Sequence, residues 1–542
     1  MKNNITAYYI ADFETSNDWE AGKNVRECRA WVWLWTLTAV GNIAREEVMH
    51  GDCITSFLSK CDELSQEGDI VVFFHNLKYD GSYLLNALPL NEVDTIIDNF
   101  GRFYGISWKK VHFWDSLKKI NSSVAKIGDD FKTVHRKIMD FDYSNRPWGH
   151  VCTPAELRYA ENDVLVMSEA LGELFKSGMT GMTVSGDAFK LARNSVGYKK
   201  FKSLFPSDDV IDRMVRPSYF GGWVYLNPKY ERKIIENFYI YDVNSEYPAI
   251  CVNETLPYGR PKFVNDIPDG LFIIRFKAFA KLRDGAFPFV SMKGNFRYVQ
   301  TDLLTETDGL ECFTMVSVDF YVFQKYYNVE IYKVEWILAF KGKKGIFKDF
   351  ILDCYETKKN SEGAVKAIAK LKMNSFTGRM AMNPERRSKK VEIEDEILKF
   401  CEGDIDYVDS IYTAYTSFIT AYGRRYVHER AMDLCDDFIY SDTDSVHTFS
   451  EFPGELVDNS ELGKFKLENI CVKGKYLRAK SYMFLNDHGK TVVKCAGLPY
   501  KGKQLIDFDN FDIGLELEDV KNQAKQAKGG VILVPGPFKI RT

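Results

Sequence analysis

With 542 residues the chain is too long for one compact core, so two or more domains are expected. Its 45% hydrophobic and 14% aromatic content excludes wholesale disorder. The formal net charge of −4 excludes a uniformly basic surface, although carboxylates can mask lysines that line one groove.

Local runs of that kind exist, at Lys341, Lys343, Lys344 and Lys348, at Lys358, Lys359, Lys366, Lys370, Lys372 and Arg379, and at Lys473, Lys475, Arg478 and Lys480. No apolar stretch approaches membrane-spanning length. The start MKNNITAYYIADFE also lacks the apolar region and cleavage site of a signal peptide, so an unexported protein without membrane insertion is expected. Eleven cysteines without a C-x-x-C pair fit reduced thiols rather than zinc or a disulfide frame.

In chain order, YYIADFETS reads as a buried strand with Asp12 and Glu14 on one face at its end. IVVFFHNLKYDGSYLLNAL reads as strand, polar turn and helix, with Asp80 near the helix start. TPAELRYAENDVLVMSEAL opens with Thr153 as N-cap and Pro154 at the first helical position. Tyr159 and Asp163 then lie four residues apart on one helix face. Each segment alone is an ordinary strand end, helix cap or half-buried helix. Together they form an ordered D-x-E, N-x-x-x-D and Y-x-x-x-D series, and carboxylates so gathered need cations between them.

A second series follows. NFYIYDVNSEYP brings Asp242 out at a strand end, with Tyr247 placed to pack on a nucleotide sugar. NSEGAVKAIAKLKMNSFTGRM predicts a helix with Ser361 as N-cap. Lys366, Lys370, Asn374 and Gly378 form one polar stripe on it, suited to a triphosphate. DDFIYSDTDSVHTF predicts a hairpin whose turn carries Asp442 and Asp444. Lysines and two metal ions suffice for phosphoryl transfer, which depends on positioning and charge neutralisation.

The first series resembles the three motifs of the DnaQ-like, ribonuclease H-like 3′–5′ exonucleases. That resemblance implies metal ligation by Asp12, Glu14, Asp80 and Asp163, with Tyr159 catalytic. It also implies an assisting lysine, assigned to Lys137 with Lys132 as the alternative. The second series resembles motifs A, B and C of the family B DNA polymerases. It implies catalysis by Asp242, Asp442 and Asp444 and metal ligation by these three and Val243. Nucleotide binding would fall to Tyr247, Lys358, Lys366, Lys370 and Asn374. Tyr219-Phe-Gly221-Gly222 resembles the Y-x-G-G/A link, Thr420-Ala-Tyr-Gly423-Arg424 the T-x-x-G-R motif, and Lys480-Ser-Tyr482 the K-x-Y motif.

FHNLKYDGSYLL, DSLKKI, GIFKDF and VKCAG are similar to the protein-primed members of the phi29 group of phages. This implies DNA contacts at Thr15, His75, Asn76, Tyr79, Tyr83, Ser116, Leu117, Tyr219, Gly221, Gly222, Thr420, Arg424, Lys480 and Tyr482. The implied fold is multidomain, α/β followed by α+β. An RNase H-like exonuclease would span 1–183 and palm 184–253 and 413–496. Terminal-protein-region insertions would span 254–344 and 382–412, fingers 345–381 and thumb 497–542. The implied activity is templated DNA synthesis with proofreading and strand displacement, primed on a terminal protein, in the cytoplasm of an infected bacterium. Two Mg²⁺ or Mn²⁺ ions per site, dNTPs, primer–template and single-stranded DNA, phage DNA-binding proteins and a monomeric state belong to the same expectation. The alternatives are a DNA-primed polymerase and an exonuclease with a DNA-binding C-terminal half. Two residues depart from the group: Glu246, expected to put a negative charge beside the triphosphate and weaken nucleotide binding unless its side chain turns away, and Thr377, where a tyrosine is usual.

Overall fold

Alternating and continuous apolar runs become two seven-stranded sheets, a four-stranded sheet and two hairpins in the computed structural model, which describes residues 5–295, 297–299 and 303–541. The first sheet runs Met49–Gly51, Ala30–Ala39, Ile5–Asn17, Asp69–Phe74, Val111–Asp115, Phe103–Trp108 and Val93–Ile97 in spatial order. Asp69–Phe74, sequence DIVVFF, is buried after its first residue and parallel to both neighbours. A parallel strand covered on both faces needs such an unbroken apolar run. One face packs Leu165, Leu171 and Leu174 of the helix Pro154–Lys176 against Ile10, Val71 and Phe73. The other packs Phe57, Leu77 and Leu84 against Val72 and Phe74.

The helix Pro154–Lys176 starts where Thr153 and Pro154 predict, with a complete capping box between Thr153 and Glu156. The first strand corrects the sequence reading. It continues to Asn17, so Asp12 and Glu14 lie within it, opposite Thr36 and Leu34. The apolar run Ala30–Ala39 pairs along its whole length, and a bulge after Glu14 re-aims the strand locally.

The second sheet is antiparallel, in the order Thr491–Cys495, Ser481–Asn486, Phe465–Arg478, Ile234–Val243, Ser445–Thr448, Phe438–Thr443 and Trp223–Leu226. Val427 and Ala431 of the helix Thr413–Leu434 cover it, packing on Trp223, Tyr241 and Phe438. A four-stranded sheet from 255 to 344 and the helices Lys348–Asn360 and Gly363–Met380 are inserted between its strands. The latter helix starts two residues beyond the expected cap. The Ser361 hydroxyl donates back to the Thr357 carbonyl and closes the preceding helix, leaving Glu362 at the N-cap. GGVILVPGPFKI forms the strand Gly530–Lys539 of the last hairpin. Val531, Ile532 and Leu398 of the other hairpin enter the core that contains Leu84 and Phe103, tying both hairpins to the first sheet.

Candidate active sites

Five chain segments converge on a cleft of about 280 Å³ at the first sheet. Its walls include Asp12 and Glu14 from within the strand Ile5–Asn17, His75, Asn76, Tyr79 and Asp80 from the turn and helix after Asp69–Phe74, and Tyr159 and Asp163 from the helix Pro154–Lys176. Asn76 adopts a left-handed conformation, φ 87°, which turns the chain sharply into that helix and presents Asp80. Asp12 and Glu14 are half-buried in the wall of the cleft.

Burial first, and the neighbouring carboxylates second, push Asp12 up to about 7 and Glu14 up to about 8. The same causes raise Asp80, while burial raises Asp163 against the opposing pull of Lys137. Lys137 donates to Asp163 and, at 3.1 Å, to the Tyr159 hydroxyl. The alternative, Lys132, pairs instead with Glu362. Asp163 Oδ1 is buried without a hydrogen-bond partner.

The other residues expected here divide into two groups. Thr15 and Tyr79 share a hydrogen bond of 2.7 Å at the rim. The Leu117 N–H donates to Asp115. Tyr83 is buried and its hydroxyl donates to the Val531 carbonyl at 2.9 Å. Ser116 is also buried, donating to the Phe74 carbonyl and meeting His75 Nδ1 at 2.9 Å. Tyr83 and Ser116 therefore support Tyr79 and His75 instead of presenting hydroxyls at the surface. Sequence reading missed Phe141, stacked on Tyr159 at 3.8 Å, and Tyr143, whose hydroxyl meets that of Tyr159 at 2.5 Å. Both lie in an irregular segment without periodicity.

At the second sheet, antiparallel register sets Asp242 opposite Ser445, and Ser445 opposite Asp442. The Val243 N–H donates to the Asp444 carbonyl at 2.8 Å, locking the S-D-T-D turn to the adjacent strand. Thr443 takes φ 67° at that turn. A Cβ at Gly222 would lie 2.5 Å from Thr443 Cγ2 and 2.9 Å from its Cα, so only glycine permits this approach. Burial, then Asp444, pushes Asp242 up to about 7. Burial likewise raises Asp444. Lys480, at φ 60°, reaches Asp442 Oδ1 at 2.7 Å.

Lys366, Lys370, Asn374 and Gly378 are all exposed along one helix face, and a Cβ at Gly378 would meet open space. Lys358 meets Ser245 Oγ at 3.0 Å; burial, with Lys370, Lys466 and Lys366 nearby, lowers its proton affinity. Lys466, opposite Asp242 in register, and Glu468, at an irregularity in the same strand, were not singled out from sequence. Their F-K-L-E alternation was visible, but only strand register relates it to Asp242.

Tyr247 is half-buried, beside Glu246, Arg424, Asp444 and Tyr219. Tyr219 remains partly exposed, and Tyr482 stacks on Tyr476 at 5.3 Å. Thr420 and Arg424 are buried. Thr420 bonds within its helix, and Arg424 donates to the carbonyls of Phe220 and Gly221. The Glu246 side chain turns inward and is buried over Gly423, and Oε1 has no partner. Burial, then Asp444 and Asp242, raises its carboxyl well above the ordinary range. Thr377 is buried too, its carbonyl accepting from the Thr416 hydroxyl.

Residues 137–461 match the sequence profile of the DNA polymerases type B, organellar and viral. The chain belongs to this family. It is 34% identical to the DNA polymerase of Bacillus phage phi29 with both chains fully covered, and 29% identical to that of Streptococcus phage Cp-1 over 99% of each. The structure superposes on the phi29 DNA polymerase ternary complex with primer–template DNA and incoming nucleotides at a TM-score of 0.89, with 31% identity. That match covers 99% of this chain and 100% of the other. These relatives place this type B DNA polymerase in the phi29 group.

A DNA polymerase implies a divalent metal cofactor. Among the described residues, no three His, Cys, Asp or Glu side chains stand at closed metal-ligand spacing. The donor chemistry nevertheless fits. Each cluster offers carboxylate oxygens of raised proton affinity, and Asp163 Oδ1 is a buried acceptor awaiting a partner. Such oxygens suit hard divalent cations.

Proposed function

We propose that this DNA polymerase extends a primer at the Asp242–Asp442–Asp444 cluster and excises from the 3′ end at the Asp12–Glu14–Asp80–Asp163 cluster. The observation that carries the reading is the pair of separate carboxylate clusters on two different sheets, each faced by lysines. Sequence 1–183 would be the exonuclease domain, and the remainder palm, fingers, thumb and the two insertions as divided above. The relative in the ternary complex holds primer–template DNA and incoming nucleotides, and we assign the same ligands here.

In this reading Asp242, the Val243 carbonyl, Asp442 and Asp444 would hold Mg²⁺ or Mn²⁺, two ions to the site, as would Asp12, Glu14, Asp80 and Asp163 at the other. Such ions supply charge stabilisation to the attacking and leaving oxygens when bound. Lys366 and Lys370 receive the triphosphate, Lys358 holds the Ser245 turn, and Asn374 and Gly378 border the nascent pair. Tyr247 packs on the sugar and excludes a 2′-hydroxyl. In the excision cleft Lys137 holds Asp163 and Tyr159 in place, and Tyr159 orients the attacking water. Tyr79, Tyr219 and Tyr482 provide rings for bases and sugars. Priming on a terminal protein, strand displacement, monomeric action and work in an infected bacterium with phage DNA-binding proteins complete the proposal.

The test uses a labelled primer–template with a downstream duplex, Mg²⁺ and a dNTP titration at low salt, where phosphate contacts are strongest. Shortening without dNTPs and extension through the duplex with them is the expected result. Shortening at every dNTP concentration would leave an exonuclease with a DNA-binding half.

A further inference from the structure

The helix Pro154–Lys176 does more than present Tyr159 and Asp163 to the cleft. On a neighbouring face of the same helix, Asn162 and Glu169 both bind the irregular segment that brings Lys137 in. Glu169 accepts three hydrogen bonds. The Val134 N–H donates at 2.5 Å, the His135 N–H at 3.1 Å and His135 Nδ1 at 2.6 Å. Asn162 Nδ2 donates to the Arg136 carbonyl at 3.2 Å. The next residue, Lys137, donates to Asp163 and Tyr159. The segment has no helix or strand to hold it, so its path depends on such bonds, together with the Thr133 hydroxyl that donates to the His135 carbonyl at 2.7 Å.

We propose that Glu169 is a positioning residue for excision, a clamp that fixes the register of 134–137 and so delivers the Lys137 ammonium to Asp163 and Tyr159. Three geometric facts carry this. The Glu169 side chain is 9% exposed, so its oxygens depend on protein donors in place of water. Its two oxygens take consecutive backbone N–H groups, which a carboxylate binds more tightly than a neutral acceptor does. The clamped residues end two positions before Lys137, a distance over which a freed chain could carry the ammonium out of hydrogen-bond reach. A catalytic group gains its effect from placement within a fraction of an ångström, so its support determines its rate. Asn162 supplies the intermediate hold. Helix, clamp and lysine thus form one unit: a single helix presents the carboxylate and grips the strap that brings its lysine.

This rests on the excision role proposed for Lys137, and the test separates the two. Single-turnover excision of a labelled single strand is measured for Glu169→Ala, Glu169→Gln, Lys137→Ala and the Glu169→Ala/Lys137→Ala double variant. Strand affinity, and primer extension as a control of folding, are measured in parallel. Glu169→Ala is expected to lower the excision rate about 10- to 100-fold, with strand affinity and extension unchanged. Glu169→Gln, which keeps one acceptor for the backbone, should recover part of the rate. The double variant should excise no more slowly than Lys137→Ala, because the clamp acts through that lysine. Normal excision by Glu169→Ala while Lys137→Ala is impaired overturns the clamp alone. Multiplying effects in the double variant do the same. Normal excision by Lys137→Ala overturns the lysine's role and the clamp with it.

Discussion

Arg424 donates to Asp319 Oδ2 at 2.5 Å in a buried pair that joins the T-x-x-G-R helix to the helix Ser317–Tyr326 of the inserted region. The same guanidinium donates to the carbonyls of Phe220 and Gly221 at 2.8 and 2.7 Å. One side chain therefore links three sequence-distant segments around the S-D-T-D turn. Removing either charge leaves its partner buried and uncompensated. Asp319→Ala should lose about 3–5 kcal/mol of stability, read as a fall in denaturation midpoint. Extension should fall with it, because the Phe220–Gly221 link loosens. An unchanged midpoint would remove this linchpin role.

Gly222→Ala should damage extension selectively. Its Cβ meets both backbone and side chain of Thr443, so the turn carrying Asp442 and Asp444 must shift, at a cost of about 1–3 kcal/mol. Primer extension should drop at least tenfold while excision of a single strand continues. Equal rates for both activities would show that the turn accommodates the methyl group.

Asp444→Ala should abolish nucleotide addition and keep DNA binding. Asp12→Ala/Asp80→Ala should abolish excision and keep extension, since the two clusters lie on separate sheets. Extension by a folded Asp444→Ala variant would sink the assignment at the second sheet.

Stability in chelator should depend on pH in a defined direction. Asp12 and Asp242 rise to about 7 and Glu14 to about 8 when folded, while in the unfolded chain they titrate near about 4. The folded state therefore binds more protons, and its stability is full below about pH 4 as far as these groups decide it. That contribution is lost as pH rises through 7 to 8. The denaturation midpoint with chelator should fall between about pH 5 and pH 8.5. Mg²⁺ should restore it at the upper pH and do little at the lower. A midpoint indifferent to Mg²⁺ at both ends would show that these carboxylates hold no ion.

Glu246→Gln tests the buried departure from the family pattern. The glutamate must ionise against burial and two aspartates, and Oε1 lacks a partner. Because its folded proton affinity is raised, stability falls as pH climbs above the unfolded value of about 4.3. The amide removes that ionisation and should raise the midpoint at about pH 8.5, with little change at about pH 5. A lower midpoint at pH 8.5 would mean that the ion has a counter-charge the fold supplies.

Much of the molecule was written locally. The D-x-E strand, the Thr153–Pro154 helix start, the exposed Lys366–Lys370–Asn374–Gly378 stripe and the hairpin carrying Asp442 and Asp444 follow from periodicity, turn and cap chemistry, which depend on neighbours within a few residues. What sequence could not reveal depends on partners far along the chain. The strand through Asp12 runs on because Ala30–Ala39 pairs with it, and Ser361 fails to cap because its hydroxyl turns back to Thr357. Lys466 reaches Asp242 through cross-strand register, Asp319 finds Arg424 across 105 residues, and Glu246 is buried because Gly423 leaves room above it. Spacing along a chain sets which residues share a face. Only packing between elements decides which faces meet, which charges are stripped of water, and therefore which carboxylates hold their protons.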